Sequence, residues 1–391
     1  MAIDEELFEF DDEELNNPTE IKVVGVGGGG NNAVSRMKNA GVKGVEFIAV
    51  NTDAQDLQQT EADNKLRITD GNADGLGAGA DPKVGLKAAR KSREEIKESI
   101  DGADLLFVTA GMGGGTGTGA APVIADMAKE ELGILTIGVV TRPFEYEGQR
   151  RHKNADAGIK QLRESVDTLI VVPNERLFEV IDDGTSFLDS FKIADQVLYQ
   201  GVQGISELIV EEGDVNLDFA DVQTIMKEKG DALMGIGEAN GEKAAVEAAR
   251  EALHCPLLET NDIDGASGVI VNIMGRDDIT AIEVREAINL VREKAADEAN
   301  VIAGQTLRSD LDVVRVTVIA TGFPAGDQRQ QRSSRSRDNV YRVEDFSDRD
   351  LDKPAWERKE EEQVEVVNED PEKPGDKEED DLNIPTFMRI K

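Results

Sequence analysis

The chain has 391 residues, with 80 Asp and Glu against 44 Lys and Arg and a formal charge of −36. So acidic a protein repels polyanions, which excludes nucleic acid as a general partner. A single cysteine, Cys255, excludes an internal disulfide framework and points to a reducing cytoplasm; with only His152 and His254 beside it, a zinc site is not expected either.

No apolar run reaches about 18 residues, so no membrane-spanning helix is expected. Residues 1–20 carry nine acids and no base, which suits a disordered acidic arm and not a secretory signal. The acidity continues through the folded span. It fits a salty cytoplasm, where carboxylates hold hydrated cations.

Ile21–Val26 reads as a strand running into Gly27-Gly28-Gly29-Gly30-Asn31-Asn32, with a helix carrying Ala33, Val34 and Met37 after it. Gly25, Gly27 and Gly30 fit the G-x-G-x-x-G spacing. Asp53 follows the strand Val45–Val50, as a dinucleotide fingerprint would have it. The next rim segments are Asn51-Thr52-Asp53 and the flexible stretch Gly75–Pro82.

Leu105–Thr109 is an apolar strand, and Gly111-Met112-Gly113-Gly114-Gly115-Thr116-Gly117-Thr118-Gly119 follows it, ahead of helix formers from Ala120 to Lys129 with Pro122 near their start. Strand, glycine loop and helix start together make an anion site. Glycines let backbone N–H groups converge on phosphate oxygens, and the helix dipole adds positive potential. Thr116 and Thr118 can donate to the same oxygens. No Lys follows the glycines, so this is not a P-loop, and charge must be met by backbone dipoles and a metal ion. A dinucleotide oxidoreductase is the rival reading, but it has no need of this second, richer loop.

Strands Ile134–Val140 and Leu169–Val172 end in the polar segments Thr141–Gly148 and Pro173–Arg176. The β-loop-α alternation predicts a parallel sheet covered on both faces. A long helix from about Leu188 to Val210 is expected to place Phe191, Ala194, Val197, Leu198, Ile205, Leu208 and Ile209 in the core. Gly201 and Gly204 weaken it, so packing must hold it. A smaller α+β unit follows: helix Ala244–Leu253, strand Val269–Met274, a helix with the stripe Ala281, Val284, Ile288, Val291 and Ala295, and strand Val313–Ala320. Beyond Pro324 apolar periodicity vanishes, which suits a linker, and Leu382–Arg389 turns apolar again as a docking peptide would.

Gly113–Gly119 resembles the tubulin/FtsZ signature. Similarity to the FtsZ family, tubulin-like GTPases of prokaryotic cell division, runs in order through about residues 21–324. It includes Gly27–Asn32, Asn51-Thr52-Asp53, Thr141-Arg142-Pro143-Phe144, Asn216–Val222 and Thr321-Gly322-Phe323, and Ile384-Pro385-Thr386-Phe387 resembles the family's tail peptide. The resemblance implies a tubulin-like α/β fold: a GTP-binding domain with a Rossmann-like parallel sheet (21–187), a central helix (188–212) and a smaller α+β domain (213–324). The arm 1–20, a disordered linker 325–381 and the peptide 382–391 complete the chain.

The resemblance further implies GTP and GDP as ligands, with Mg²⁺ and K⁺ beside them and no confident metal ligand from the protein. Gly28, Gly29, Gly30, Asn31 and Asn32 would form the first nucleotide loop, and Gly115, Thr116 and Gly117 would cradle phosphates. Glu147 and Arg151 would lie at the ribose, Phe191 would stack on guanine, and Asn174 and Asp195 would read its edge. A carboxylate accepting from N1–H and the 2-amino group suits guanine and disfavours adenine. Asp218 and Asp221, supported by Asn216, would polarise or position the attacking water on the next subunit's nucleotide and help hold the cation. The helix before them spans on the order of 35 Å, too far for hydrogen-bond reach within one chain.

These expectations amount to a GTPase that polymerises head-to-tail and builds the midcell division ring, tethered through Leu382–Arg389 by membrane-bound division proteins. A family member that assembles with little turnover is the other reading; intact Asn216, Asp218 and Asp221 argue against it.

Overall fold

The structure, a computed structural model, describes residues 19–323 apart from 72–76, 180, 182–183, 211–217, 228, 256–262, 277 and 308–311. The acidic arm, Asn216, the linker and the tail peptide therefore lie outside the described residues, Glu20 and its neighbour excepted.

In chain order the first part comprises β1 (Ile21–Val26), α1 (Gly27–Asn39), β2 (Val45–Asn51), α2 (Ala54–Gln59), β3 (Asn64–Arg67), α3 (Pro82–Lys91), α4 (Arg93–Ile100), β4 (Leu105–Gly111), α5 (Thr116–Asp126), β5 (Leu135–Arg142), α6 (Gln149–Ser165) and β6 (Thr168–Pro173). The long helix α7 (Phe187–Val210) leads to α8 (Phe219–Met226), β7 (Gly230–Ala239), α9 (Ala244–Leu253), β8 (Gly268–Gly275), α10 (Ala281–Arg292), β9 (Asn300–Leu307) and β10 (Val314–Thr321).

The strands form one sheet in the order β3-β2-β1-β4-β5-β6-β7-β10-β8-β9. Pairing is parallel from β3 to β7 and between β8 and β9, and β10 runs antiparallel to both its neighbours. Strands β4 and β5 are apolar on both faces because helices cover both. On one face Val23, Phe107 and Ile137 meet Val34 and Met37 of α1 and Val197, Leu198 and Ile205 of α7. On the other, Val24, Leu106 and Val108 meet Ala88 of α3, Ile96 of α4, Ile124 of α5 and Ile159 of α6. A third cluster packs α9 and α10 on β8 and β10.

Several elements differ from the sequence reading. Helix α7 starts one residue earlier, at Phe187, and its described length ends at Val210, two residues inside the expected 188–212. Phe191 and Ile209 are half-buried, while Ala194, Val197, Leu198, Ile205 and Leu208 are buried. Gly201 lies against Val139 of β5 and Met234 of β7; the missing side chain lets α7 lie close to both parts of the sheet. Helix α5 begins at Thr116, not Ala120, so Pro122 stands inside it. Its glycines pack on backbone: Gly117 against Val26 and Gly111, Gly119 against Pro82 of α3. A π-helical turn, Met127–Glu131, follows.

Strands β3, β7 and β9 and helices α2 to α4 carry little signal in the sequence. Gly230, Gly235 and Gly237 interrupt the pattern of β7. Its pairing with β6, Thr168–Ile170 to Gly230–Ala232, makes the sheet continuous through both parts of the chain.

Candidate functional site

The order β3-β2-β1-β4-β5-β6 reverses direction at β1, and ligands of open α/β sheets bind where order reverses, outside the strands' carboxyl ends. A cleft of about 600 Å³ opens there, within the range of ligand pockets.

Two helix N-termini face it. Val26 and Gly115, at the N-cap positions of α1 and α5, provide no side-chain cap, and neither helix has an acid in its first turn. In contrast, Asp53 caps α2, Asp81 caps α3 and Thr280 caps α10. The uncapped amides of Gly27–Gly29 and of Thr116 and Gly117 line the cleft, where both dipoles favour an anion. Gly27 holds φ at +71°, and a Cβ there would stand 2.8 Å from the Gly117 nitrogen. The turn between β1 and α1 requires a residue without one.

Asn32, Asn174, Phe191 and Asp195 line the same cleft. Phe191 meets Phe144 edge-on at a centroid distance of 5.4 Å. Asn174 lines the cleft and is buried, with its Oδ1 unpartnered. Burial raises the Asp195 carboxyl to about 6, opposed by the Arg36 guanidinium 4.0 Å away. Arg151 pairs with Glu147, whose Oε1 accepts from the Phe144 amide at 2.9 Å.

Gly28, Gly29, Asn32, Gly115, Thr116, Gly117, Glu147, Arg151, Asn174, Phe191 and Asp195 thus share one cleft. Gly30 and Asn31 do not line it. A Cβ at Gly30 would run into the Thr109 carbonyl oxygen, so this glycine lets α1 seat on β4. Asn31, in the first turns of α1, is buried with both side-chain amide atoms unpartnered. Thr118 also turns inward: its hydroxyl accepts from the Gly113 amide at 2.8 Å and braces the glycine turn.

Asp56 also lines the cleft, and the sequence reading did not single it out. Its carboxylate takes the Asn51 amide at 2.5 Å, and Asp53 takes the amides of Gln55 and Asp56. Each keeps an oxygen outside these bonds. Hard carboxylate oxygens beside a phosphate cradle fit Mg²⁺. Among the described residues no group of three or more His, Cys, Asp or Glu could hold a metal ion by itself, and no helix is long and apolar enough to cross a membrane.

Asp218 and Asp221 lie elsewhere. Both are exposed; Asp218 caps α8, accepting from the Ala220 amide at 3.1 Å. Phe191 and Asp195 sit near the start of α7, whereas Asp218 follows its end. The 24 residues of α7 span about 36 Å.

The matching family models are the Tubulin/FtsZ family, GTPase domain, over residues 20–182, and the FtsZ family, C-terminal domain, over residues 230–324. An empty FtsZ dimer from M. jannaschii is 45% identical, covering 81% of this chain and 93% of its own, with a TM-score of 0.75. A point mutant of FtsZ from M. jannaschii gives 45% identity, 80% and 95% coverage and a TM-score of 0.76. CetZ2 from Haloferax volcanii, in a GTPγS-bound protofilament, shares the fold at 23% identity, 79% and 95% coverage and a TM-score of 0.68.

Proposed function

We infer the function from one premise: the chain belongs to the FtsZ family, within the tubulin-like GTPases. It binds GTP in the cleft at β1 and β4 and hydrolyses it in a site that a second copy completes. Copies join head-to-tail, a heterologous contact that does not close and so yields a filament. The filament forms the division ring at midcell in the cytoplasm, and Leu382–Arg389 docks it to membrane-tethering division proteins.

One observation carries this reading. The phosphate cradle and the pair Asp218 and Asp221 stand at opposite ends of α7, and every carboxylate within the cleft already has other work. Asp53 caps α2, Asp56 holds Asn51, Glu147 pairs with Arg151, and Asp195 faces Arg36. The exposed Tyr146, Phe178, Phe187 and Leu188 also support it. Their element ends adjoin the cleft, and the three aromatics belong to one ring cluster with Phe144 and Phe191. An apolar patch of this kind suits a protein partner.

In the mechanism, the amides of Gly27–Gly29, Thr116 and Gly117 hold the phosphates and meet charge that builds on them. Phe191 stacks on the base, Asp195 accepts from its N1–H and 2-amino group, and Asn174 reads the same edge. Glu147 accepts from the ribose hydroxyls, with Arg151 holding the carboxylate. Asp53 and Asp56 would hold Mg²⁺, which when bound neutralises phosphate charge. Asp218 and Asp221 of the incoming subunit, with Asn216 supporting them, orient the attacking water and take its proton.

Hydrolysis per subunit is to be measured against protein concentration, in high KCl with Mg²⁺. A rate near zero below a threshold and rising above it is expected, whereas a concentration-independent rate would overturn the shared site. Asp218→Ala should bind GTP, hydrolyse almost none, and inhibit mixtures with the unmodified chain beyond simple dilution.

A further inference from the structure

The helix that bears Asp218 and Asp221 is fastened at its other end by two hydroxyls. The last carbonyls of a helix have no partner within it. In α8 the Gln223 carbonyl is met by the Lys227 amide, and the two at the end are met from outside. Thr168 Oγ1, on the first residue of β6, donates to the Met226 carbonyl at 2.5 Å. Thr321 Oγ1, on the last residue of β10, donates to the Ile225 carbonyl at 3.0 Å.

Both threonines are fully buried, so water does not compete for these bonds. The inner face of α8 (Val222, Ile225 and Met226) is buried as well. Apolar packing fixes its depth, but such contacts are non-directional and restrain roll and slide weakly, whereas hydrogen bonds are directional. The two donors come from opposite parts of the sheet, since β6 belongs to the parallel run and β10 lies beyond β7.

We propose that Thr168 and Thr321 are positioning residues for hydrolysis. Their hydroxyls lock the roll and axial place of α8, so that Asp218 and Asp221 meet the next subunit's nucleotide at one fixed position. Neither threonine lines the cleft, so neither touches the nucleotide of its own subunit. The inference rests on the shared site proposed for hydrolysis and names what holds that site's acids in place. A misplacement of about 1 Å by a residue remote from the chemistry costs on the order of a hundredfold in rate.

The test compares Thr168→Val, Thr321→Val, the double variant and the two Thr→Ser variants with the unmodified full chain. Binding of a fluorescent GDP and polymer sedimented with a non-hydrolysable GTP analogue are measured first, then kcat at saturating GTP and a protein concentration well above threshold. The expected result is unchanged nucleotide affinity and polymer, kcat lowered about tenfold by each valine and on the order of a hundredfold by both, and near-full rates in the serine variants. Should a valine variant melt below the assay temperature, the alanine at that position replaces it.

Full kcat in both single variants overturns the inference. So does a kcat that falls only in proportion to lost polymer, which would make the bonds merely structural. Asp218→Ala runs alongside. If it is inactive while the valine variants keep full rate, the positioning role alone fails; if Asp218→Ala hydrolyses normally, the shared site fails and the positioning role with it.

Discussion

The two ends of α7 carry carboxylates in opposite conditions. Asp195, in the first half, is half-buried beside Arg36 and raised to about 6. Asp218 and Asp221, past the end, are exposed on α8. A carboxylate that selects a base gains from standing in a dry, fixed pocket, because an unpaired acceptor there penalises any ligand lacking the donor pair. One that acts on the next subunit must wait in water until that subunit arrives.

The comparison breaks most sharply at Asp195. If Asp195 reads the base as proposed, replacing it by Asn removes two charge-assisted hydrogen bonds, ~3–4 kcal/mol together, so GDP affinity should fall on the order of a hundredfold or more. A xanthosine nucleotide should recover much of it, because its C2 carbonyl accepts from the new amide. Equilibrium titration with both nucleotides checks this, and equal affinities before and after would remove Asp195 from the base site.

The pH dependence is smaller and has a definite sign. In the proposed base contact guanine would require the ionised carboxylate, and burial raises this carboxyl to about 6. Affinity should therefore be full above that pH and decline as pH falls through it, by about tenfold per unit. Binding below that pH should release a proton, measurable by calorimetry in buffers of different ionisation enthalpy. Asp195→Asn should lose this pH dependence, while Asp218→Ala should keep it.

The smallest effect belongs to the surface beside the cleft. Phe187 is 63% exposed, and Phe187→Ser should raise the threshold for hydrolysis about fivefold, ~1 kcal/mol, without changing GDP binding. Sedimentation and GDP titration separate the two quantities. An unchanged threshold would show that assembly does not use this patch.

Much of this arrangement is legible in the chain. The runs Ile21–Val26 and Leu105–Thr109, each followed by glycines, announce two buried strands and two phosphate turns because nothing else explains such glycine density there. The α9 boundaries, Ala244–Leu253, emerge as read, since alanine-rich periodicity is unambiguous. The tubulin-like fold follows from the ordered motifs.

What stays hidden is set by tertiary contact. β7 takes its place through pairing with β6 and β10, which overrides a glycine-broken pattern. Gly30 and Asn32 stand two residues apart in one run, yet one packs on Thr109 and the other lines the cleft; only the helical turn starting at Gly27 separates them. Thr118 turns inward for the same reason. Asp56 carries no motif signal, because an acid in the first turn of a short helix is commonplace.

The length of α7 has a further consequence. If one subunit's acids serve the next subunit's nucleotide, the distance from Asp195 to Asp218 becomes the unit of length from which a filament is built. The part of that unit that lies within α7, Asp195 to Val210, changes only in steps of about 1.5 Å and 100° per residue, and only whole turns of about 5.4 Å keep the helix's buried face on the sheet. On that premise the residue count of a single helix contributes directly to the repeat of the polymer.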